Sequence, residues 1–135
     1  MLIKYKSFFN NNVILLKNKK YRDKRGFFIE LYNHKSFNLL NNTDFVQDNL
    51  SFSKKINTLR GLHFQKGKYN QAKLLTVLQG KIFDVVVDIN KKSKTFGQYK
   101  SFILNEKDNY TLYVGEGFAH GFCTLIKDTL VHYKV

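Results

Sequence analysis

Along Ile82 to Ile89 every residue is apolar except Asp84 and Asp88, and in an extended segment successive side chains take opposite faces. Phe83, Val85, Val87 and Ile89 fall on one face of an extended segment, and Ile82, Asp84, Val86 and Asp88 on the other. Short alternating or β-branched runs of this kind recur along the whole chain, with almost no 3.6-residue periodicity, and such a pattern predicts an all-β barrel or sandwich. Candidate strands are Val13 to Leu16, Phe27 to Tyr32, Phe45 to Leu50, Thr58 to Phe64, Lys73 to Leu78, Ile82 to Ile89, Gln98 to Leu104, Tyr110 to Val114, Gly121 to Leu125 and Thr129 to Lys134. One short helix fits His34 to Leu40, where Phe37 and Leu40 are spaced to share a face. Gln79-Gly80, between two apolar runs, predicts a tight hairpin, because glycine accepts the positive φ that such a turn needs.

The alternation places two carboxylates among apolar neighbours. Asp88 stands at a strand end, where water can reach it. Asp84 lies mid-strand and needs a Lys, Arg or His beside it inside the barrel.

Composition adds bounds. The 135 residues, 43% of them hydrophobic, supply one core and one domain, 1–135, without repeats, linkers or low-complexity blocks. No apolar run approaches the roughly 20 residues that span a bilayer, and the lysine-bearing N-terminus lacks a signal-peptide pattern. The lone Cys123 suits a reducing compartment, so the expectation is a cytoplasmic protein with no membrane partner. A formal net charge of +13 raises nucleic acid as a partner, but the lysines are spread through every loop rather than gathered into a stripe, which argues against it. The three arginines, Arg22, Arg25 and Arg60, carry more information, since a guanidinium fork matches phosphate or carboxylate.

Three segments concentrate chemistry. Leu59 to Gln65 holds Arg60, Gly61 and His63; strict alternation would put Arg60 and His63 on opposite faces, and Gly61 is a natural site for a bulge that re-aims one of them. Gly117 to Phe122 brackets His120 between glycines that mark a sharp backbone path. In Phe45 to Asn49, Gln47 and Asn49 share a face and can offer amide hydrogen bonds to a polar ligand. His132, by alternation, faces away from Tyr133 and reads as a structural or surface residue.

Taken in order, R-G-F-F-x-E (Arg25 to Glu30), F-V-Q-D-N (Phe45 to Asn49), L-R-G-L-H-F-Q (Leu59 to Gln65), Q-x-K-L (Gln71 to Leu74), G-x-I-x-D-V-x-V-D-I (Gly80 to Ile89), S-x-T-F-G (Ser93 to Gly97), G-F-A-H-G-F (Gly117 to Phe122) and Tyr133-Lys134 resemble the dTDP-4-dehydrorhamnose 3,5-epimerases. The resemblance covers nearly the whole chain. It implies a cupin-type jelly roll, a homodimer that exchanges strands near the N-terminus, and a dTDP-linked 4-keto-6-deoxy hexose epimerised at C3 and C5 in dTDP-L-rhamnose biosynthesis. By the same resemblance His63 is the base, Lys73 and His120 hold the enolate oxygen, and Tyr133 is the acid on the other face. Arg25 and Arg60 would bind the diphosphate, with Glu30, Gln47, Asp48 and Asn49 holding nucleotide and sugar. Chemistry of this kind needs no cofactor, because the substrate ketone is the electron sink. A cupin metal site is not expected, since position 65 is Gln and His63 lacks the second histidine of a metal motif.

Members of the family usually run several tens of residues past the Tyr-Lys motif, whereas this sequence ends at Val135. The remaining part normally carries an aspartate that orients the base histidine. The expectation is therefore weak or absent turnover unless Asp84 serves as the supporting carboxylate. Two other readings stand beside it: a sugar-nucleotide-binding cupin without chemistry, and an epimerase acting at one centre or on another nucleotide sugar.

Overall fold

A computed structural model describes residues 2–38 and 43–135. Among these described residues twelve strands, β1 (Leu2–Phe8), β2 (Val13–Asn18), β3 (Lys20–Asp23), β4 (Gly26–Ile29), β5 (Asp48–Ser53), β6 (Leu59–His63), β7 (Lys73–Gln79), β8 (Lys81–Asp88), β9 (Tyr99–Asn105), β10 (Tyr110–Val114), β11 (Phe118–Thr124) and β12 (Thr129–Lys134), accompany one short α-helix, α1 (His34–Asn38), and a 3-10 turn at Gly67–Tyr69. They form a six-stranded sheet in the order β1-β2-β10-β7-β12-β5, a four-stranded sheet in the order β6-β11-β8-β9, and a separate β3-β4 hairpin. Every pairing is antiparallel. This is the all-β jelly roll that the alternation and the resemblance predict. Among the described residues no helix is long and apolar enough to cross a membrane.

The two large sheets face each other across one core. Val13 and Leu15 of β2, Leu75 and Val77 of β7, Leu112 and Val114 of β10 and Val131 of β12 meet Ile82 and Val86 of β8, Phe102 and Leu104 of β9 and Phe122 of β11. Period-two patterning has selected these residues, because a strand with one buried face must keep its apolar side chains at alternate positions. The other face of the six-stranded sheet is covered in part by Phe37 of α1, which packs with Ile14, Leu16, Leu74 and Tyr113 and takes Tyr32 and Phe45 alongside. The expected helix is thus present, with Phe37 as its buried anchor; Leu40 lies outside the described residues.

Three expectations need correction. The Gln79-Gly80 hairpin does not form: β7 and β8 belong to different sheets, and at Gly80 (φ +91°) the chain turns a corner from one sheet to the other. Their apolar faces oppose each other across the core, so the two strands cannot also lie side by side. Gly80 is needed there for space as well as for angle, since a Cβ would meet Thr129 Oγ1 and come within 2.9 Å of Thr129 Cα. The Phe27 to Tyr32 segment ends as a strand at Ile29 and pairs with β3, which the pattern did not predict, leaving Phe27 and Phe28 exposed. Asp88 is buried rather than wet. The Ser93 and Thr95 hydroxyls each donate to its Oδ2 at 2.6 Å and the Asn90 amide donates to Oδ1 at 2.9 Å, which pins the 89–97 loop to the end of β8.

Candidate active site

The β6-β11 ladder holds the chemistry of one wall. Arg60 pairs with Phe122 and His63 with His120, so between these two pairs β6 advances three residues while β11 advances two. The extra residue is the bulge expected at Gly61, whose φ is +97°. A Cβ at that position would stand 2.7 Å from His120 O and 2.9 Å from Gly121 Cα, so only glycine lets the strands approach this closely. The bulge brings Arg60 and His63 to one cavity despite their odd spacing.

Strands β5, β7 and β12 of the six-stranded sheet supply the opposite wall. On β7, Lys73 shares the core face with Leu75 and Val77; on β12, Tyr133 shares it with Val131, and register places Tyr133 opposite Leu75 and Asn49. Ser51 of β5 faces the same way. The walls enclose a cavity of about 330 Å³ lined by Arg60, His63, His120 and Phe122 on one side and by Ser51, Lys73, Leu75 and Tyr133 on the other. A second, smaller recess of about 60 Å³ adjoins it through His63 and Lys73 and reaches Gln65, Gln71 and Phe118.

Each polar group has a defined setting. The Arg60 Nε donates to Ser53 Oγ at 3.0 Å and a terminal nitrogen donates to Phe52 O at 2.9 Å, which ties the guanidinium across to β5. Its remaining N–H groups are available to an anion in the cavity. Burial holds the Lys73 ammonium below the ordinary lysine range, and the Asp84 charge partly restores it. His120 is 5% exposed and its Nε2 lies 2.8 Å from Asp84 Oδ2. Asp84 therefore has the buried partner its position demanded. His63 is exposed at the rim, where a ligand can reach it. Among the described residues no group of three or more His, Cys, Asp or Glu side chains is arranged to hold a metal ion.

Not every predicted site residue gathers here. Asn49 is on the cavity-facing side of β5, and its Oδ1 accepts a hydrogen bond from Gln47 Nε2 at 2.8 Å, as their shared face implied. Asp48 points to the opposite side of the sheet, where Oδ1 is 2.7 Å from His132 Nε2 and Oδ2 is 2.9 Å from Lys134 Nζ. The bonds from Lys134 and then His132 hold its carboxyl below the ordinary carboxylate range. His132 lies on the face of β12 away from Tyr133, as alternation predicts, and meets Asp48 there. Arg25 occupies the exposed turn of the β3-β4 hairpin and pairs with Asp23 at 2.6 Å, and Glu30 follows β4 and accepts from Asn33 Nδ2 at 3.3 Å; neither lines this cavity. The residues that sequence reasoning missed are Ser51, Ser53, Leu75 and Phe122. Asn49, Ser51 and Ser53 are small polar residues at every second position of β5, a period-two signal for a strand whose inner face is wet.

A family profile described as dTDP-4-dehydrorhamnose 3,5-epimerase matches residues 10–135. The enzyme of that description from Salmonella typhimurium is 48% identical over 125 residues, which cover 91% of this chain and 68% of that protein. Among solved structures, the Bacillus anthracis dTDP-4-dehydrorhamnose 3,5-epimerase with TDP and PPi bound superposes with a TM-score of 0.95 at 46% identity, covering 99% of this chain and 77% of its own. The dTDP-6-deoxy-D-glucose-3,5-epimerase of Legionella pneumophila, in complex with dTDP-4-keto-L-rhamnose, gives 0.88 at 38% identity, covering 99% of this chain and 70% of its own.

Proposed function

The chain belongs to the dTDP-4-dehydrorhamnose 3,5-epimerase family, and on that premise we propose that it epimerises a dTDP-linked 4-keto-6-deoxy hexose at C3 and C5. One observation carries the reading: His63 on one sheet and Tyr133 on the other line a single cavity, with Lys73 beside them. Inversion at a carbon next to a ketone requires a proton to leave one face and another to arrive on the opposite face, so base and acid must stand on opposed walls.

The steps follow from the residue types. The C4 ketone acidifies the hydrogens at C3 and C5. His63 takes one as general base, electrons move onto the C4 oxygen, and Lys73 and His120 offer positive or hydrogen-bonding groups to that oxygen. Tyr133 then donates its phenolic proton to the carbon from the far side. A free imidazole titrates at ~6.5 and a phenol at ~10, which suits the first to accept and the second to donate near neutrality. Arg60, anchored on β5, takes a phosphate oxygen of the diphosphate.

Arg25 and Glu30 enter this scheme through a second copy of the chain. The exposed hairpin that carries Arg25, with Phe27 and Phe28 open to solvent, is suited to reach into a neighbouring cavity, and a homodimer arranged in this way would complete the diphosphate site. The lone thiol of Cys123 suits the cytoplasm as the working compartment.

The test is deuterium incorporation from D₂O into dTDP-4-keto-6-deoxyglucose, followed by NMR with His63→Ala as control. Wash-in at C3 and C5 that the variant loses is the expected result. Saturable binding with no wash-in would replace the epimerase by a silent sugar-nucleotide binder, and wash-in at one carbon would make it a single-centre enzyme.

A further inference from the structure

Asp84 is 0% exposed and stands on the inner face of β8 between Ile82 and Val86, in the middle of the core. Its Oδ2 is 2.8 Å from His120 Nε2, while its Oδ1 has no hydrogen-bond partner among the described residues. A carboxylate withdrawn this far from water persists as an anion only where positive charge answers it. His120 reaches it from β11 in direct contact. Lys73 approaches from β7 and responds to its charge. Both side chains line the cavity, and Asp84 does not.

The hydrogen bond has a direction. An ionised carboxylate only accepts, so the hydrogen belongs to His120 Nε2, and Nδ1 is the ring nitrogen left for other partners. We infer that Asp84 is a positioning residue: it fixes the His120 ring with Nε2–H towards itself and sustains positive charge on Lys73, so that His120 and Lys73 together seat the oxygen on which negative charge develops. The chemical purpose rests on the epimerase reading. The electrostatic assignment rests on the burial and the contact alone.

Other charged groups face the same space. Arg60 and His63 come from β6 and Tyr133 from β12, with the Arg60 guanidinium directed to Ser53 and Phe52. Among the described residues none of these is hydrogen-bonded to Asp84. Replacing Asp84 with asparagine keeps the size and an accepting oxygen but deletes the charge. An anion nearby favours the protonated form of a base, so its removal moves Lys73 towards losing its proton at lower pH.

The experiment uses the full chain without ligand, labelled with ¹⁵N at histidine and ¹³C at lysine, and compares wild type with Asp84→Asn across pH. In the wild type the neutral His120 ring should carry its proton on Nε2. In Asp84→Asn the Lys73 midpoint should fall by about one pH unit, a tenfold change in its protonation equilibrium. In parallel, the alkaline limb of kcat should shift to lower pH while KM changes little, a split that a merely structural role would not produce. An Nδ1–H tautomer in the wild type, or an unchanged Lys73 midpoint in a folded Asp84→Asn, would overturn the assignment. If Asp84→Asn fails to fold, the wild-type tautomer decides: a proton on Nε2 of the neutral His120 ring supports the role and one on Nδ1 refutes it. Wild-type protein that shows the Nε2–H tautomer but exchanges no deuterium would sink the epimerase reading and leave the Asp84 assignment standing.

Discussion

His63 and His120 are direct cross-strand partners, even though β6 takes three residues and β11 two to reach them from the neighbouring Arg60-Phe122 pair. The mismatch is absorbed at Gly61, and it is what turns an arginine and a histidine three positions apart toward the same cavity.

Gly61→Ala should therefore damage fold and function together. Its methyl would meet backbone atoms of His120 and Gly121 at 2.7 and 2.9 Å, and the residue would be held at φ +97°. Backbone strain of this type costs on the order of 1–3 kcal/mol. Urea unfolding should show a loss of that size, with proton exchange falling further than the remaining folded fraction accounts for.

His63→Ala and Tyr133→Phe should fail in different ways. His63 is exposed, so its removal leaves the unfolding midpoint nearly unchanged while exchange at C3 and C5 drops by about 10²–10⁴-fold, the usual worth of a general base. Tyr133→Phe keeps the ring packed at the core margin but removes the far-side proton. Deuterium should still enter, now with retained configuration, and the epimer should not accumulate; NMR of the recovered sugar separates the two outcomes.

Much of this was legible in the sequence, and the gaps have physical reasons. The pleat of β8 sorted its residues onto two faces and showed the need of Asp84 for a partner, because a strand's pleat is a local property; which face turns inward is not, and the one buried carries Ile82, Asp84, Val86 and Asp88 while Phe83 stays exposed. Which strand lies beside which is not local. Gln79-Gly80 has the chemistry of a hairpin turn, yet the apolar faces of β7 and β8 are both wanted in the core, and the chain turns a corner between sheets instead. Likewise β1 is not among the candidate strands, although Ile3, Lys4, Tyr5 and Lys6 alternate; it is an edge strand paired with β2 alone, with a register shift between positions 4 and 6. Within the site, Gly61 foretold the bulge. Asp48 shares its motif with Gln47 and Asn49, yet register on β12 turns it away from the cavity, towards His132 and Lys134.

Asp88 should make part of the protein's stability sensitive to acid. Burial pushes its carboxyl up, but bonds from Ser93, Thr95 and the Asn90 amide outweigh this and hold it below the ordinary range. A group lowered on folding contributes stability above its unfolded value of ~3.9, and that contribution is lost as pH falls through the folded value. Asp88→Asn lacks the charge at every pH. The difference in urea midpoint between wild type and variant should be present at about pH 6 and shrink as pH drops below about 4.

Leu112, fully buried between the sheets, tests the core. Leu112→Ala should cost about 2–5 kcal/mol, the transfer of the lost side chain plus the cavity left behind. Calorimetry should find the midpoint lowered. A cost under about 1 kcal/mol would mean the sandwich collapses readily around the gap.

Because the walls that carry His63 and Tyr133 belong to different sheets, joined at corners such as Gly80, neither sheet alone holds a reaction centre. The catalytic signal is consequently a gauge of completed assembly. On dilution from denaturant, far-ultraviolet dichroism can recover as each sheet forms, but solvent deuterium will enter the sugar only once the two have closed on each other.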